Sequence, residues 1–169
     1  VLFSSIIFTL ILPFLILISI VIVIFDPGPI FFKQKRVGLF EQSFIIYKFR
    51  SMPQGSNNLP SNEISNIKLS PIGSFIRRLN IDELPQLINI IRGEMSIVGP
   101  RPSLIMQKDL IDIRKKNLSL NLRPGLTGLA QIKSFDGMSV EEKAYFDGIY
   151  YKKISFIFDL LIILKTFKY

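Results

Sequence analysis

Residues 1–25 read VLFSSIIFTLILPFLILISIVIVIF and run directly into Asp26-Pro27-Gly28-Pro29. A helix needs about 20 consecutive apolar residues to reach across the hydrocarbon core of a bilayer, and this run is long enough. It is too long for a signal-peptide core and lacks a small-residue cleavage site, so it is expected to stay on the protein. Pro13 stands near its middle. Proline removes one backbone hydrogen bond and clashes with the carbonyl four residues back, here that of Thr9, so a kink or break is expected. The halves Leu2–Leu12 and Pro13–Phe25 would each be roughly 15–20 Å long at 1.5 Å per residue. The residues leave two paths open. One is a kinked spanning helix, favoured by the need of freed backbone groups in lipid for partners. The other is a re-entrant hairpin that enters and leaves on one face. Both put Lys33-Gln34-Lys35-Arg36 on the cytoplasmic side.

The rest of the composition agrees with a membrane surface. The chain has 169 residues, 49% of them hydrophobic, with 21 Lys+Arg against 13 Asp+Glu and a net charge of +8. Such a length suits one domain over 1–169, with residues 1–25 as the membrane segment and 26–169 on the cytoplasmic side. Basic side chains are drawn to anionic lipid by about 1 kcal/mol each, and they also suit anionic substrates. No zinc-finger spacing, RNP-like aromatic motif or long basic run points to nucleic acid. Cysteine and histidine are both absent. That excludes disulfides, thiolate chemistry, Ser-His-Asp and Cys-His mechanisms and the usual zinc ligands. Any acid, base or nucleophile must come from Asp, Glu, Lys, Tyr, Ser or Thr.

Further along, Phe31-Phe32 and Phe44–Phe49, joined through turn-prone Val37-Gly38, suggest a small β-hairpin. Gln54–Asn66 is rich in Ser, Asn, Gly and Pro and reads as a loop. A helix is expected over Gly73–Leu79. Another begins near Asp82, with Leu84, Leu87, Ile88 and Ile91 on one face and Gly93 at its end. Gly99-Pro100-Arg101-Pro102 and Arg123-Pro124-Gly125-Leu126-Thr127-Gly128 read as rigid loops that each present an arginine. Ser103–Asn117 reads as helical, and Ile154–Lys168 as a largely apolar helix suited to the membrane interface.

Asp82-Glu83 is the candidate centre. Acidic residues in a first helical turn commonly serve only as caps. Neighbours on a helix point about 100° apart, however, so one carboxylate can face a phosphorus atom while the other holds a cation. A helix N-terminus also favours anions. Arg77, Arg101 and Arg123 stand beside or inside segments stiffened by proline and glycine, and the planar guanidinium binds phosphate oxygens in a bidentate way. Singly, each is more often a surface charge. No Walker-type loop or GxGxxG motif is present.

Taken together, Ile81-Asp82-Glu83-Leu84-Pro85-Gln86-Leu87, the run from Arg92-Gly93-Glu94 to Gly99-Pro100-Arg101-Pro102, and Arg123-Pro124-Gly125-Leu126-Thr127-Gly128 resemble the bacterial sugar transferase family. These are the monotopic phosphoglycosyl transferases that begin capsule, O-antigen, exopolysaccharide and glycoprotein glycan assembly. Pro27-Gly28-Pro29-Ile30-Phe31-Phe32 and Tyr47-Lys48-Phe49-Arg50-Ser51-Met52 match earlier blocks, so the resemblance runs in order over nearly the whole chain. It implies a mainly α fold with a small β-hairpin, a re-entrant membrane helix broken at Pro13 and interfacial amphipathic helices. It places the protein at the bacterial inner membrane, facing the cytoplasm. It implies a ping-pong reaction in which Asp82 attacks the sugar-bearing phosphate of a UDP-sugar, releases UMP, and passes the phosphosugar to polyprenol (undecaprenyl) phosphate. Glu83 would bind Mg²⁺, a hard cation matched to carboxylate and phosphate oxygens. Arg77, Arg101 and Arg123 match phosphate-binding arginines; Lys48 and Asp147 are further candidates for the same pocket.

The sequence departs from the family pattern in four places. Leu12 replaces the serine usual before the helix-breaking proline, and the basic lead-in to the membrane helix is missing because the sequence opens at Val1. Leu129 stands for a common tryptophan after Thr127-Gly128, and a histidine often seen before Arg123-Pro124-Gly125 is absent. None touches Asp82 or Glu83. Two other classes remain to be separated by experiment: a non-enzymatic membrane adaptor, and a Mg²⁺-dependent hydrolase that uses water as acceptor. The sugar, the downstream glycan and the oligomeric state are not written in the sequence. Gln54–Asn66 and Lys133–Val140 are the segments guessed to choose the sugar.

Overall fold

The computed structural model describes residues 2–53, 69–133 and 137–166, with side chains from residue 8 onward. Gln54–Asn66, residues 134–136 of the other presumed specificity segment, and Lys168 lie outside the described residues. The chain divides into two compact units, Val1–Gln34 with Ile46–Ile91, and Lys35–Ile45 with Arg92–Tyr169.

The first unit is built on α1, Leu2–Phe25. The helix passes through Pro13 without interruption, as in the continuous-helix reading of the sequence and unlike the break into Leu2–Leu12 and Pro13–Phe25 that the family resemblance implied. A proline in a helix costs one hydrogen bond, and packing on both sides of it can offset that loss. Here Phe8 and Ile11 before the proline and Leu15, Ile18 and Ile22 after it join one core with Phe49 and Ile76. The other faces of α1 stay apolar and exposed, with Leu10 at 74% and Leu17 at 56%. Phe8–Phe25 is long and apolar enough to cross a membrane, by length and composition.

The segment leaving α1 is fastened by buried Arg50, which donates to the carbonyls of Asp26 and Pro27 and pairs with the Asp26 carboxylate at 3.2 Å. Two motif blocks far apart in sequence are thus one structural joint. α2, Pro71–Arg78, starts two residues earlier than expected because Ser70 caps it, its Oγ accepting from Gly73 N–H. Gly73 is required there: a Cβ would overlap the Ser51 carbonyl. Asn80 then turns left-handed (φ 54°) into a 3₁₀ turn, Ile81–Gln86, followed by the short α3, Leu87–Ile91. Asp82 and Glu83 therefore sit on a tight 3₁₀ turn, not at the head of a long α-helix. Pro85 lies inside this turn and buried.

The hairpin strands β1, Phe31–Val37, and β2, Ser43–Phe49, are longer than the two short runs expected. Together with β4, Ser103–Leu104, they form a sheet in the order β2-β1-β4, with Arg36 opposite Leu104 in an antiparallel pair. The hairpin tip bends through Phe40 and Glu41, both at positive φ.

In the second unit β3, Ser96–Val98, and β5, Gly125–Thr127, pair in parallel, Ser96 opposite Gly125 and Val98 opposite Thr127. The helical stretch expected over Ser103–Asn117 becomes strand β4, a turn, and α4, Lys108–Lys116. Helices α5, Leu129–Lys133, α6, Val140–Lys153, and α7, Phe156–Thr166, complete the unit. α6 opens with a capping box, Ser139 and Glu142 each bonding the other's backbone. Val98, Leu129, Ile132, Tyr150 and Ile162 form this unit's core.

Candidate functional site

Four of the residues singled out from the sequence meet in the first unit. Asp82 is held on the 3₁₀ turn with only 8% of its surface exposed. Its Oδ1 is buried and has no hydrogen-bond partner among the described residues. Such an atom is costly to leave unmade unless a ligand completes it. Burial pushes the Asp82 carboxyl above its ordinary pKa, and the adjacent Glu83 charge adds to the rise; Lys48 and Arg77 pull the other way. Lys48, from β2, reaches Glu83 with Nζ 2.6 Å from Oε1, both side chains largely buried. Arg77, on the last turn of α2, is exposed. Across β2, the Tyr47 N–H donates to Oδ1 of fully buried Asn89 at 3.2 Å, which ties the strand that carries Lys48 to α3.

The cluster therefore holds two adjacent carboxylates, an ammonium and a nearby guanidinium. No group of three or more metal-ligating side chains occurs among the described residues. Magnesium rarely asks for one: it keeps waters and takes one or two carboxylates together with substrate phosphates. Glu83 beside the unpartnered, buried Asp82 oxygen fits that donor set.

Arg101, Arg123 and Asp147 belong to the second unit. The two arginine loops are joined to each other there. Gly99 N–H donates to the Thr127 carbonyl and Gly125 N–H to the Pro100 carbonyl, each at 2.9 Å. The glycines permit this approach: a Cβ on Gly99 would strike the Arg123 carbonyl, and one on Gly125 would strike Gly99 N and the Thr127 carbonyl. Both arginine side chains are exposed. Two loops that read as separate motifs thus form one platform bearing two guanidinium groups.

Asp147 is placed differently from these arginines. It is 1% exposed on α6, and its Oδ2 accepts from Arg114 Nε at 2.8 Å and lies 2.6 Å from Arg114 Nη2. Burial raises the Asp147 carboxyl above its ordinary value while the Arg114 guanidinium opposes the rise. Arg114 also donates from Nη1 to the Arg101 carbonyl at 2.9 Å. The carboxylate is committed to a buried arginine that grips the backbone of Arg101. Arg114 and Asn89 were not legible beforehand. A basic residue near the end of a helix reads as a solvated charge, and a partner 33 positions away leaves no local signal.

The chain was then compared with known proteins. A family model described as bacterial sugar transferase matches residues 1–169. The chain is 39% identical over 153 residues to the uncharacterized sugar transferase EpsL of Bacillus subtilis (strain 168), covering 90% of this chain and 75% of that protein. It is 34% identical over 166 residues to the UDP-N-acetylgalactosamine-undecaprenyl-phosphate N-acetylgalactosaminephosphotransferase of Aeromonas hydrophila, covering 92% of this chain and 38% of that protein. It is 34% identical over 172 residues to the UDP-glucose:undecaprenyl-phosphate glucose-1-phosphate transferase of Escherichia coli (strain K12), covering 96% of this chain and 37% of that protein. The chain thus spans three quarters of the first relative but well under half the length of the other two.

Proposed function

The chain belongs to the bacterial sugar transferase family, and from that premise we propose that it transfers a phosphosugar from a UDP-sugar to polyprenol phosphate, with Asp82 as nucleophile. The observation that carries the proposal is the Asp82 carboxylate: buried, with one oxygen lacking a hydrogen-bond partner among the described residues, beside Glu83, Lys48 and Arg77. Relatives named for transfer from UDP-sugars to undecaprenyl phosphate supply the substrate class.

In the first half-reaction an Asp82 oxygen attacks the sugar-bearing phosphorus. The bond from that phosphorus to the bridging oxygen breaks, and UMP leaves with the electron pair. In the second, a phosphate oxygen of the polyprenol phosphate attacks the same phosphorus, the acyl-phosphate bond breaks, and Asp82 regains its carboxylate. The product is a polyprenol diphosphate sugar, and no net proton is consumed. Splitting one displacement into two is the usual gain of covalent catalysis. Burial strips water from the attacking oxygen and makes it more basic than a solvated carboxylate. Lys48 holds Glu83 in place and Arg77 adds positive charge; on the second unit, the exposed forks of Arg101 and Arg123 suit bidentate binding of phosphate. Glu83 would hold Mg²⁺, which when bound offsets the negative charge of the diphosphate. Asp147 acts through Arg114 as a positioning residue for Arg101.

The protein sits at the cytoplasmic face of the bacterial inner membrane, with α1 entering the bilayer from one side. One stripe of α1, from Phe8 to Ile22, is clad by its own unit. The remaining faces of that stretch are apolar and exposed, suited to lipid. Tags at both ends of the chain are expected to be accessible from the cytoplasm, and a periplasmic N-terminus would refute this path.

The activity is tested by UMP release from a panel of UDP-sugars with Mg²⁺ and undecaprenyl phosphate, beside Asp82→Asn. Release beyond one equivalent only when lipid is present, and lost in the variant, is the expected result. Steady release without lipid would make the protein a hydrolase, and release by Asp82→Asn would remove Asp82 as the nucleophile.

A further inference from the structure

The second unit carries an open groove of about 310 Å³ between α5, α6 and α7, remote in sequence from Asp82 and without part in the chemistry above. It is lined by Ile132, Phe146, Ile149, Phe158 and Ile162, and three lysines, Lys133, Lys153 and Lys165, complete the lining with Leu129 and Leu161. No carboxylate is among these residues. The carboxylate of α7, Asp159, accepts from the Tyr150 hydroxyl at 2.7 Å. That bond, with Thr127 Oγ1 at 2.7 Å from Thr166 Oγ1, holds α7 against α6 and β5, so the groove is built into the fold.

We propose that this groove binds one anionic phospholipid, an acyl chain lying along half-buried Phe146, Ile149 and Phe158 and exposed Leu161, and the phosphate among Lys133, Lys153 and Lys165. The charge decides the chemistry. Three ammonium groups around an apolar groove suit an amphiphile with a negative head, and lysine stems can pack on apolar surface while their heads stay in water. The setting decides the source. The outer face of α7 leaves Phe156 83%, Ile157 72% and Leu164 60% exposed. Such an unpartnered apolar face beside basic residues is the pattern of a helix lying in a membrane interface. Leu161 belongs both to that face, at 49% exposure, and to the groove, so a lipid chain can pass from one to the other. The inference rests on the membrane location proposed above but not on the identity of the nucleophile or the sugar.

The experiment is co-flotation of the whole chain with phosphatidylcholine vesicles, with and without phosphatidylglycerol, alongside mass spectrometry of lipid retained after detergent purification. One variant changes Lys133, Lys153 and Lys165 to Gln. A control makes the same change at exposed Lys108, Lys116 and Lys152, outside the groove. A third, Leu161→Glu, puts a carboxylate at the mouth. At about 1 kcal/mol per lysine and 1.4 kcal/mol per tenfold, the groove variant is expected to lose up to about hundredfold in partitioning to anionic vesicles. Retained phosphatidylglycerol should disappear from it and from Leu161→Glu, and persist in the control. Equal losses in both lysine variants would mean diffuse charge attraction and overturn the groove. A wild type that floats equally well with neutral vesicles and retains no anionic lipid would keep the membrane location and sink the lipid site. A wild type that floats with neither vesicle would sink both. A groove variant that changes oligomeric mass and not vesicle binding would make the occupant a second copy of the chain, against the proposal.

Discussion

Removing the Asp147 carboxylate should destabilise the protein far more than removing a surface acid. Asp147 is 1% exposed and Arg114 4%, with contacts of 2.8 and 2.6 Å between them. Asp147→Ala strands a buried guanidinium, and breaking such a pair from one side costs about 3–5 kcal/mol. At roughly 2–4 °C per kcal/mol for a chain of this size, the melting temperature should fall by about 6–20 °C. The double variant Arg114→Met with Asp147→Leu leaves no orphaned charge and should recover most of that loss, because apolar replacement of a buried pair is often near neutral. It should not recover activity, since Arg114→Met removes the donor that holds the Arg101 carbonyl. Thermal unfolding followed by circular dichroism, together with the UMP assay, separates the two effects in a double-mutant cycle. A fall under about 3 °C for Asp147→Ala, or a double variant no more stable than the singles, would show that the pair is not desolvated. Full activity in the double variant would show that Arg101 does not depend on it.

Asp82→Asn should abolish UMP release while raising the melting temperature at pH 7. A carboxyl whose folded pKa is raised contributes stability present below its unfolded pKa and lost as pH rises through the folded value; the amide keeps the uncharged state at all pH. The gain should vanish below about pH 4, the ordinary carboxylate range, and a loss at pH 7 would instead make Asp82 a helix cap. Gly125→Ala should cost about 1–3 kcal/mol as overpacking against backbone and weaken UMP release, because the new methyl meets Gly99 N and the Thr127 carbonyl; unchanged unfolding and activity would refute the close joining of the two arginine loops.

Some of this was legible in the linear chain because it is carried by neighbours. The apolar run of residues 1–25, the adjacent Asp82 and Glu83, the hairpin strands and the glycine- and proline-stiffened arginine loops each declare themselves within a few positions. The absence of Cys and His narrows the chemistry by composition alone. The capping box Ser139–Glu142 is an equally local signal that went unread, and it marks the start of α6, a helix the sequence reading did not include.

What composition and spacing did not reach was decided by side chains meeting across the fold. Helical structure continues through Pro13 with packed residues on both sides of it. The 3₁₀ form of the Asp82 turn follows a left-handed Asn80, a conformation that asparagine tolerates but does not impose. Lys48 finds Glu83 from 35 residues away, and Arg114 finds Asp147 from 33. The sequence alone determined which groups the protein has for its chemistry. Tertiary structure decided which of them are buried, which are paired, and which oxygen is left open, because desolvation and ion pairing depend on distances that only the folded chain sets.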